Sequence, residues 1–176
     1  IGVYAAILAV LATGKSYVIL NPAFPGNRNK TIAEQAKIEL IIGNKTIWTT
    51  ASWCRGFTCW DISSKLSENY TPITFQFSSK NPAYIIFTSG STGLPKGVPI
   101  SRDNLNAFYN AYRDLGWSLD YHDRMLQMFE LTFDVSVVSF LYPLTLGACI
   151  YTVGYKDVKY LKVFDIMDRY ELTFAA

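Results

Sequence analysis

The sequence predicts an α/β fold with a mainly parallel sheet flanked by helices, and three observations predict it. Short β-branched and aromatic runs near residues 17–20, 39–42, 83–87 and 149–153 alternate with longer stretches of helix-forming residues. Glycine, asparagine and proline punctuate them, at Gly14, Asn21-Pro22, Gly43-Asn44 and Gly116. Half of the 176 residues are hydrophobic, enough to bury one sizeable core in about one domain. Helices and strands in that rhythm imply parallel strands joined by crossovers.

Each element has a local reason. Residues 1–12 are almost wholly apolar, yet shorter than the ~18–20 residues of a membrane span and without a basic run before them. They read as a buried helix closed by Gly14. Tyr17-Val18-Ile19-Leu20 reads as a strand, with Asn21-Pro22 and Pro25-Gly26 as the turn after it. Residues 30–37 read as a helix and Glu39-Leu40-Ile41-Ile42 as a strand stopped by Gly43-Asn44. Ile47-Trp48-Thr49 and Thr74-Phe75-Gln76-Phe77 look like further strands in a less informative middle.

Past the middle, Ala83-Tyr84-Ile85-Ile86-Phe87 is a strand, and Val98-Pro99-Ile100-Ser101 is extended because proline disfavours the α region before it. Ser101 is placed to cap a helix over 102–115, with Asp103 in its first turn and Gly116 ending it. Strands follow over 124–129 and 149–153, an apolar helix starts at Asp134, and 158–169 is an amphipathic helix. Leu172-Thr173-Phe174-Ala175 opens a last strand.

The chemistry concentrates in Thr88-Ser89-Gly90-Ser91-Thr92-Gly93-Leu94-Pro95-Lys96-Gly97. Glycines let backbone approach a ligand and visit positive φ. Exposed amides in such a loop form an anion-binding concavity, hydroxyls add donors, and the lysine ammonium is a mobile point charge suited to phosphate oxygens. A loop of that composition set between two strands reads as a polyphosphate cradle and not as a flexible linker. It is no Walker A loop: Lys96 precedes a glycine, and Pro95 and Pro99 oppose the helix that such a loop enters. The dinucleotide fingerprint G-x-G-x-x-G is absent as well.

Other classes find little support. The net charge is +2, with Lys and Arg dispersed, so there is no electrostatic footprint for nucleic acid or an anionic membrane. Cys54 and Cys59 have no histidine or further cysteine nearby, which disfavours zinc. Three cysteines are read as reduced thiols of a cytoplasmic protein. The only histidine, His122, lies among Asp120, Tyr121, Asp123 and Arg124 and is read as a polar turn residue.

Three ordered segments carry a family resemblance. Tyr84-Ile85-Ile86-Phe87 with Thr88 to Gly97 resembles the phosphate-binding motif of adenylate-forming enzymes, the superfamily of acyl-CoA synthetases, nonribosomal peptide synthetase adenylation domains and luciferase. Residues 11–22 resemble its upstream helix–strand motif, and Phe133-Asp134-Val135-Ser136 its downstream Phe-Asp-x-Ser motif. The surroundings of Asp134, including Phe140-Leu141-Tyr142-Pro143-Leu144, are similar to D-alanine:carrier-protein ligases and related amino-acid activators.

The resemblance implies a two-step reaction. A substrate carboxylate attacks the α-phosphate of ATP, pyrophosphate leaves, and the acyl-adenylate then passes its acyl group to a thiol, usually the phosphopantetheine arm of a carrier protein. On that reading Thr88, Ser89, Gly90, Ser91, Thr92 and Gly93 hold the β and γ phosphates, and Lys96 helps hold or close the loop. Mg²⁺ bridges phosphate oxygens, with Thr88 as the protein's contact. Asp134 pairs with the α-ammonium group of an amino acid, or is simply a helix cap favoured by the dipole. Phe133 is a pocket wall or core. The family's Asn-x-Tyr-Gly-Pro-Thr-Glu-like motif, its ribose-binding aspartate and its C-terminal lysine are not in these residues. The chain is therefore expected to be an interior piece of a larger enzyme, inactive by itself; the alternatives are an acyl- or aryl-CoA synthetase and a non-catalytic nucleotide-binding or interaction domain.

Overall fold

In the computed structural model, residues 2–64, 77–89, 93–154 and 157–175 are described. The chain divides into two compact units, Ile1–Leu105 and Asn106–Ala176.

The first unit starts with α1 (Gly2–Ala12) and α2 (Gly26–Gln35), followed by β1 (Leu40–Gly43), α3 (Lys45–Thr50) and a 3₁₀ turn over Ser52–Cys54. Next come β2 (Thr58–Asp61), β3 (Pro82–Ser89) and β4 (Pro95–Ser101). β1 pairs parallel with β2, and β3 pairs antiparallel with β4. Ile7, Ile32, Ala33, Cys54, Ala83 and Tyr84 form its buried hydrophobic set.

Four expectations change here. Residues 47–49 are helical, not a strand, because the Asn44 side chain accepts from the Thr46 amide and caps α3. That polar cap outweighs the β propensity of Ile47 and Trp48. The stretch 17–20 makes one parallel bridge, Tyr17 to Tyr84, in place of a full strand. The Tyr17 amide donates to the Ala83 carbonyl at 3.2 Å and the Ile85 amide to the Tyr17 carbonyl at 3.0 Å. α1 is a helix as expected, but only Ile7 is buried, and Val3 and Leu8 are exposed. α2 begins at Gly26, a turn before its predicted start, with Pro25 as its N-cap. Of the strand expected over 74–77, residues 74–76 lie outside the described residues. Phe77 is exposed, with the Arg102 guanidinium 4.6 Å over its ring.

Arg102 anchors the base of the β3–β4 hairpin. Its Nη1 donates to the Pro82 carbonyl at 2.7 Å, and its Nη2 reaches the Lys15 carbonyl at 2.9 Å and that of Leu11 at 3.4 Å. A planar fork thus serves carbonyls of three segments, including one in the last turn of α1, where a cation is favoured.

α4 (Arg102–Asp114) begins where the sequence places it. The Asn104 amide donates to Ser101 Oγ at 3.0 Å, and the Ser101 amide donates back to Asn104 Oδ1 at 3.1 Å. This is a reciprocal capping box with asparagine in the usual glutamate position.

The second unit carries β5 (Arg124–Gln127), α5 (Val135–Thr145), β6 (Cys149–Thr152), α6 (Lys159–Tyr170) and β7 (Phe174–Ala175). Its sheet is wholly parallel, in the order β6-β5-β7. α5 packs on β5 and β6 and buries Val137, Phe140, Leu141 and Tyr142 beside Met125 and Leu126. Both strand-to-strand connections pass through a helix, as parallel pairing requires. The Tyr142 ring lies 5.1 Å from Tyr109 in a tilted contact and 5.0 Å from Tyr112 in an edge-on one. Partial burial and the neighbouring Tyr142 raise the phenol pKa of Tyr112. α6 is amphipathic as expected, yet of its predicted apolar face only Ile166 is buried; Leu161, Phe164 and Met167 are exposed.

Candidate functional site

The glycine-rich loop sits at the tip of the β3–β4 hairpin. β3 runs through the predicted Tyr84-Ile85-Ile86-Phe87 into Thr88 and Ser89, and β4 starts at Pro95. The register sets Thr88 opposite Lys96 and Ser89 opposite Pro95. Directly opposed residues of an antiparallel pair share a face, so the Thr88 hydroxyl and the Lys96 side chain emerge on one side. Thr88 Oγ1 lies 3.5 Å from the Lys96 carbonyl, a long contact that leaves the hydroxyl available. Thr88, Ser89, Gly93, Leu94 and Lys96 are all exposed. Gly90, Ser91 and Thr92 lie outside the described residues.

Two glycines suit this geometry. Gly93 has φ +80°, a left-handed conformation with open space around it, which an L side chain adopts only with strain. At Gly97 a Cβ would come within 2.9 Å of Phe87 Cζ and 3.2 Å of Ile85 Cγ2. The cross-strand ring therefore occupies the room that a side chain would need.

The second predicted site lies in the other unit. Asp134 is exposed and precedes α5, and its Oδ1 accepts from the Val135 amide at 2.9 Å. The helix-cap role read from sequence is thus present in the structure. Phe133 is 58 % exposed, so it is not core. Its carbonyl accepts from Ser136 Oγ at 2.7 Å and from the Ser136 amide at 3.1 Å, which directs its backbone inward and leaves the ring at the surface.

Sequence reasoning missed Gln127 and Ser139. Gln127, at the end of β5, is 2 % exposed, and Ser139, on the inward face of α5, is fully buried. Gln127 Nε2 donates to the Phe129 carbonyl at 3.0 Å, and its Oε1 accepts from the Phe129 amide at 3.3 Å and from Ser139 Oγ at 2.5 Å. The available signal was an amide at the end of an apolar strand, followed twelve residues later by a serine inside an apolar helix.

No group of three or more metal-ligating His, Cys, Asp or Glu side chains occurs among the described residues. All three cysteines are free, and burial with the neighbouring Cys59 pushes the Cys54 thiol up, away from thiolate chemistry. His122 lies in a turn and its amide donates to Asp120 Oδ1 at 2.7 Å. No helix of the described residues is long and apolar enough to cross a membrane.

Comparison with known proteins adds family and fold. The family model described as AMP-binding enzyme matches residues 1–176. The dimodular nonribosomal peptide synthase of Bacillus subtilis (strain 168) is 34% identical over 152 residues, covering 82% of this chain and 6% of that protein. The nonribosomal peptide synthetase FmoA3, in a crystal structure bound to α-methyl-L-serine-AMP, superposes with a TM-score of 0.85 at 23% identity, covering 98% of this chain and 19% of that one. A structure of holo-PA1221, a synthetase protein containing adenylation and PCP domains, gives a TM-score of 0.80 at 19% identity, covering 98% and 29% respectively. The chain therefore spans a small part of the proteins it matches.

Proposed function

Since this chain belongs to the family of AMP-binding enzymes, we propose that the protein it is part of activates an amino acid with ATP as an aminoacyl-adenylate and passes it to a carrier-protein thiol. The observation that carries this reading is the open tip of the β3–β4 hairpin, where Thr88 and Lys96 stand opposed and exposed beside Ser89 and the left-handed Gly93. Hydroxyls, amides and an ammonium on one rigid ribbon suit the terminal phosphates of ATP. The similarity to a nonribosomal peptide synthase and to a fold captured with an amino-acid adenylate supports the substrate class.

In this reading Thr88, Ser89, Gly90, Ser91, Thr92 and Gly93 hold the β and γ phosphates, and Lys96 neutralises charge that develops on them. Thr88 offers one neutral oxygen, which fits Mg²⁺, a hard cation that keeps waters and takes most of its ligands from phosphate. The ion, when bound, shields phosphate charge. The carboxylate oxygen forms a bond to the α-phosphorus as pyrophosphate leaves; the thiol then displaces AMP from the acyl carbon. The protein's part in the first step is positioning and charge stabilisation. Asp134 accepts the α-ammonium, and Phe133 lines the entrance to that subsite. The remaining machinery comes from other parts of the protein, which itself is placed in the cytoplasm.

The test is amino-acid-dependent ATP–pyrophosphate exchange. The full-length protein is expected to exchange with at least one α-amino acid and not with the matching acid lacking the amine; the 176 residues alone are expected to be silent. A second reading, an acyl- or aryl-CoA synthetase, draws on the capping bond from the Val135 amide to Asp134. If that bond is all the carboxylate does, the substrate needs no amine. Exchange with fatty or aryl acids and none with amino acids would establish it.

A further inference from the structure

We propose that Gln127 and Ser139 are positioning residues for the amino-acid subsite, fixing the 128–134 connection that carries Asp134; the proposal rests on the reading of Asp134 as the partner of the substrate ammonium. Gln127 is the last residue of β5, immediately after Leu126 in the core. A buried amide is costly unless its hydrogen bonds are made, and an aliphatic side chain of similar size would fill the same space without that cost. Here the bonds are made, two to the backbone of Phe129 and one to Ser139 on α5.

Nε2 and Oε1 of Gln127 take both backbone polar groups of Phe129, so the first turn of the connection is held by a side chain in place of a strand neighbour. That pairing also fixes the amide orientation, because the reverse would set two N–H groups against each other. Ser139, on α5, has a single proton, and its shortest contact is to Gln127 Oε1, at 2.5 Å against 3.0 Å to the Ser136 carbonyl. The helix that Asp134 caps is thereby tied to the strand that launches the connection. At the far end, Ser136 holds the Phe133 carbonyl through its hydroxyl and its amide. The Phe133 amide in turn donates to the Glu130 carbonyl at 3.0 Å. Among the described residues the Asp134 carboxylate accepts one hydrogen bond, from the neighbouring Val135 amide, while its carbonyl accepts from the Val137 amide at 2.9 Å. Its direction therefore depends on backbone set from both sides, and Gln127 with Ser139 sets the side away from the helix.

The experiment measures ATP–pyrophosphate exchange by the full-length protein with Gln127→Leu, Ser139→Ala, Asp134→Asn and the two doubles that include Asp134→Asn. Gln127→Leu and Ser139→Ala are each expected to raise the amino-acid KM about tenfold while the ATP KM moves less than about twofold. Added to Asp134→Asn, neither should raise the amino-acid KM further, since the group they position is gone. An unchanged amino-acid KM, an equal rise in both KM values, or the same factor in the Asp134→Asn background would overturn the proposal. Asp134→Asn with an unaltered amino-acid KM would mark the failure of the underlying reading, and the proposal falls with it. Hydrogen exchange across residues 128–137 supplies a readout without turnover. Faster exchange in Ser139→Ala than in the parent is expected even if Gln127→Leu does not fold, and unchanged exchange counts against the proposal.

Discussion

The β3–β4 hairpin and the β5–α5 connection solve opposite problems. Toward its tip the hairpin carries exposed residues, Thr88, Ser89, Gly93 and Lys96, and the pairing of β3 with β4 sets the backbone of Thr88, Ser89 and Lys96. The β5–α5 connection also exposes its key side chain, Asp134, but holds it with polar groups buried underneath, Gln127, Ser136 and Ser139. An anion with many oxygens can be held by many weak donors, so a ribbon with a glycine-rich tip suffices. On the proposed function, a single ammonium calls for one carboxylate in one place, and fixing it takes a buried network in which a missing partner is expensive.

That contrast predicts where substitutions hurt. The largest effect on stability belongs under α5: Phe140 is 1 % exposed, and Phe140→Ala is expected to cost about 3–5 kcal/mol by chemical denaturation. Arg102→Ala, which removes a charged donor shared by three carbonyls at the base of the hairpin, should cost about 2 kcal/mol in the same measurement. Ser89→Ala, at the exposed tip, should stay within about 0.5 kcal/mol of the parent. A costly Ser89→Ala would break the distinction between tip and base.

The smallest effect concerns acid. The Thr173 hydroxyl at 2.6 Å and the Asp120 amide at 2.7 Å hold the Asp123 carboxyl below the ordinary carboxylate range. A lowered native pKa means stability that is complete above the unfolded value of about 4 and lost as pH falls through the native one. Denaturation midpoints of the parent should therefore drop below pH 4 relative to pH 7, and Asp123→Asn should flatten part of that drop. An identical pH profile in the variant would remove Asp123 from the account.

What was legible in the sequence follows the same line. The two strands on either side of the glycine-rich segment and the Ser101 cap could be read because each depends on neighbours in the chain. Thr88, Ser89 and residues 95–97, read as loop, prolong those strands. Asn44 capping α3 was equally local, yet the β-branched Ile47 and the aromatic Trp48 masked it. The single bridge at Tyr17 and the exposed faces of α1 and α6 depend on what packs against them, which periodicity does not state. The partners of Arg102 and Gln127 were not legible for a plainer reason. Arg102 bonds to Leu11, 91 residues away, and Gln127 to Ser139 on the next helix, and no motif spacing records such pairs.

The most direct test of the hairpin's role is nucleotide affinity, ATP against AMP, in the full-length protein and its Thr88→Ala/Lys96→Ala variant. On the proposed function the hairpin holds the terminal phosphates, so ATP binding should weaken by at least about tenfold while AMP binding stays within about twofold. Equal weakening of both nucleotides, or none for ATP, would contradict that assignment.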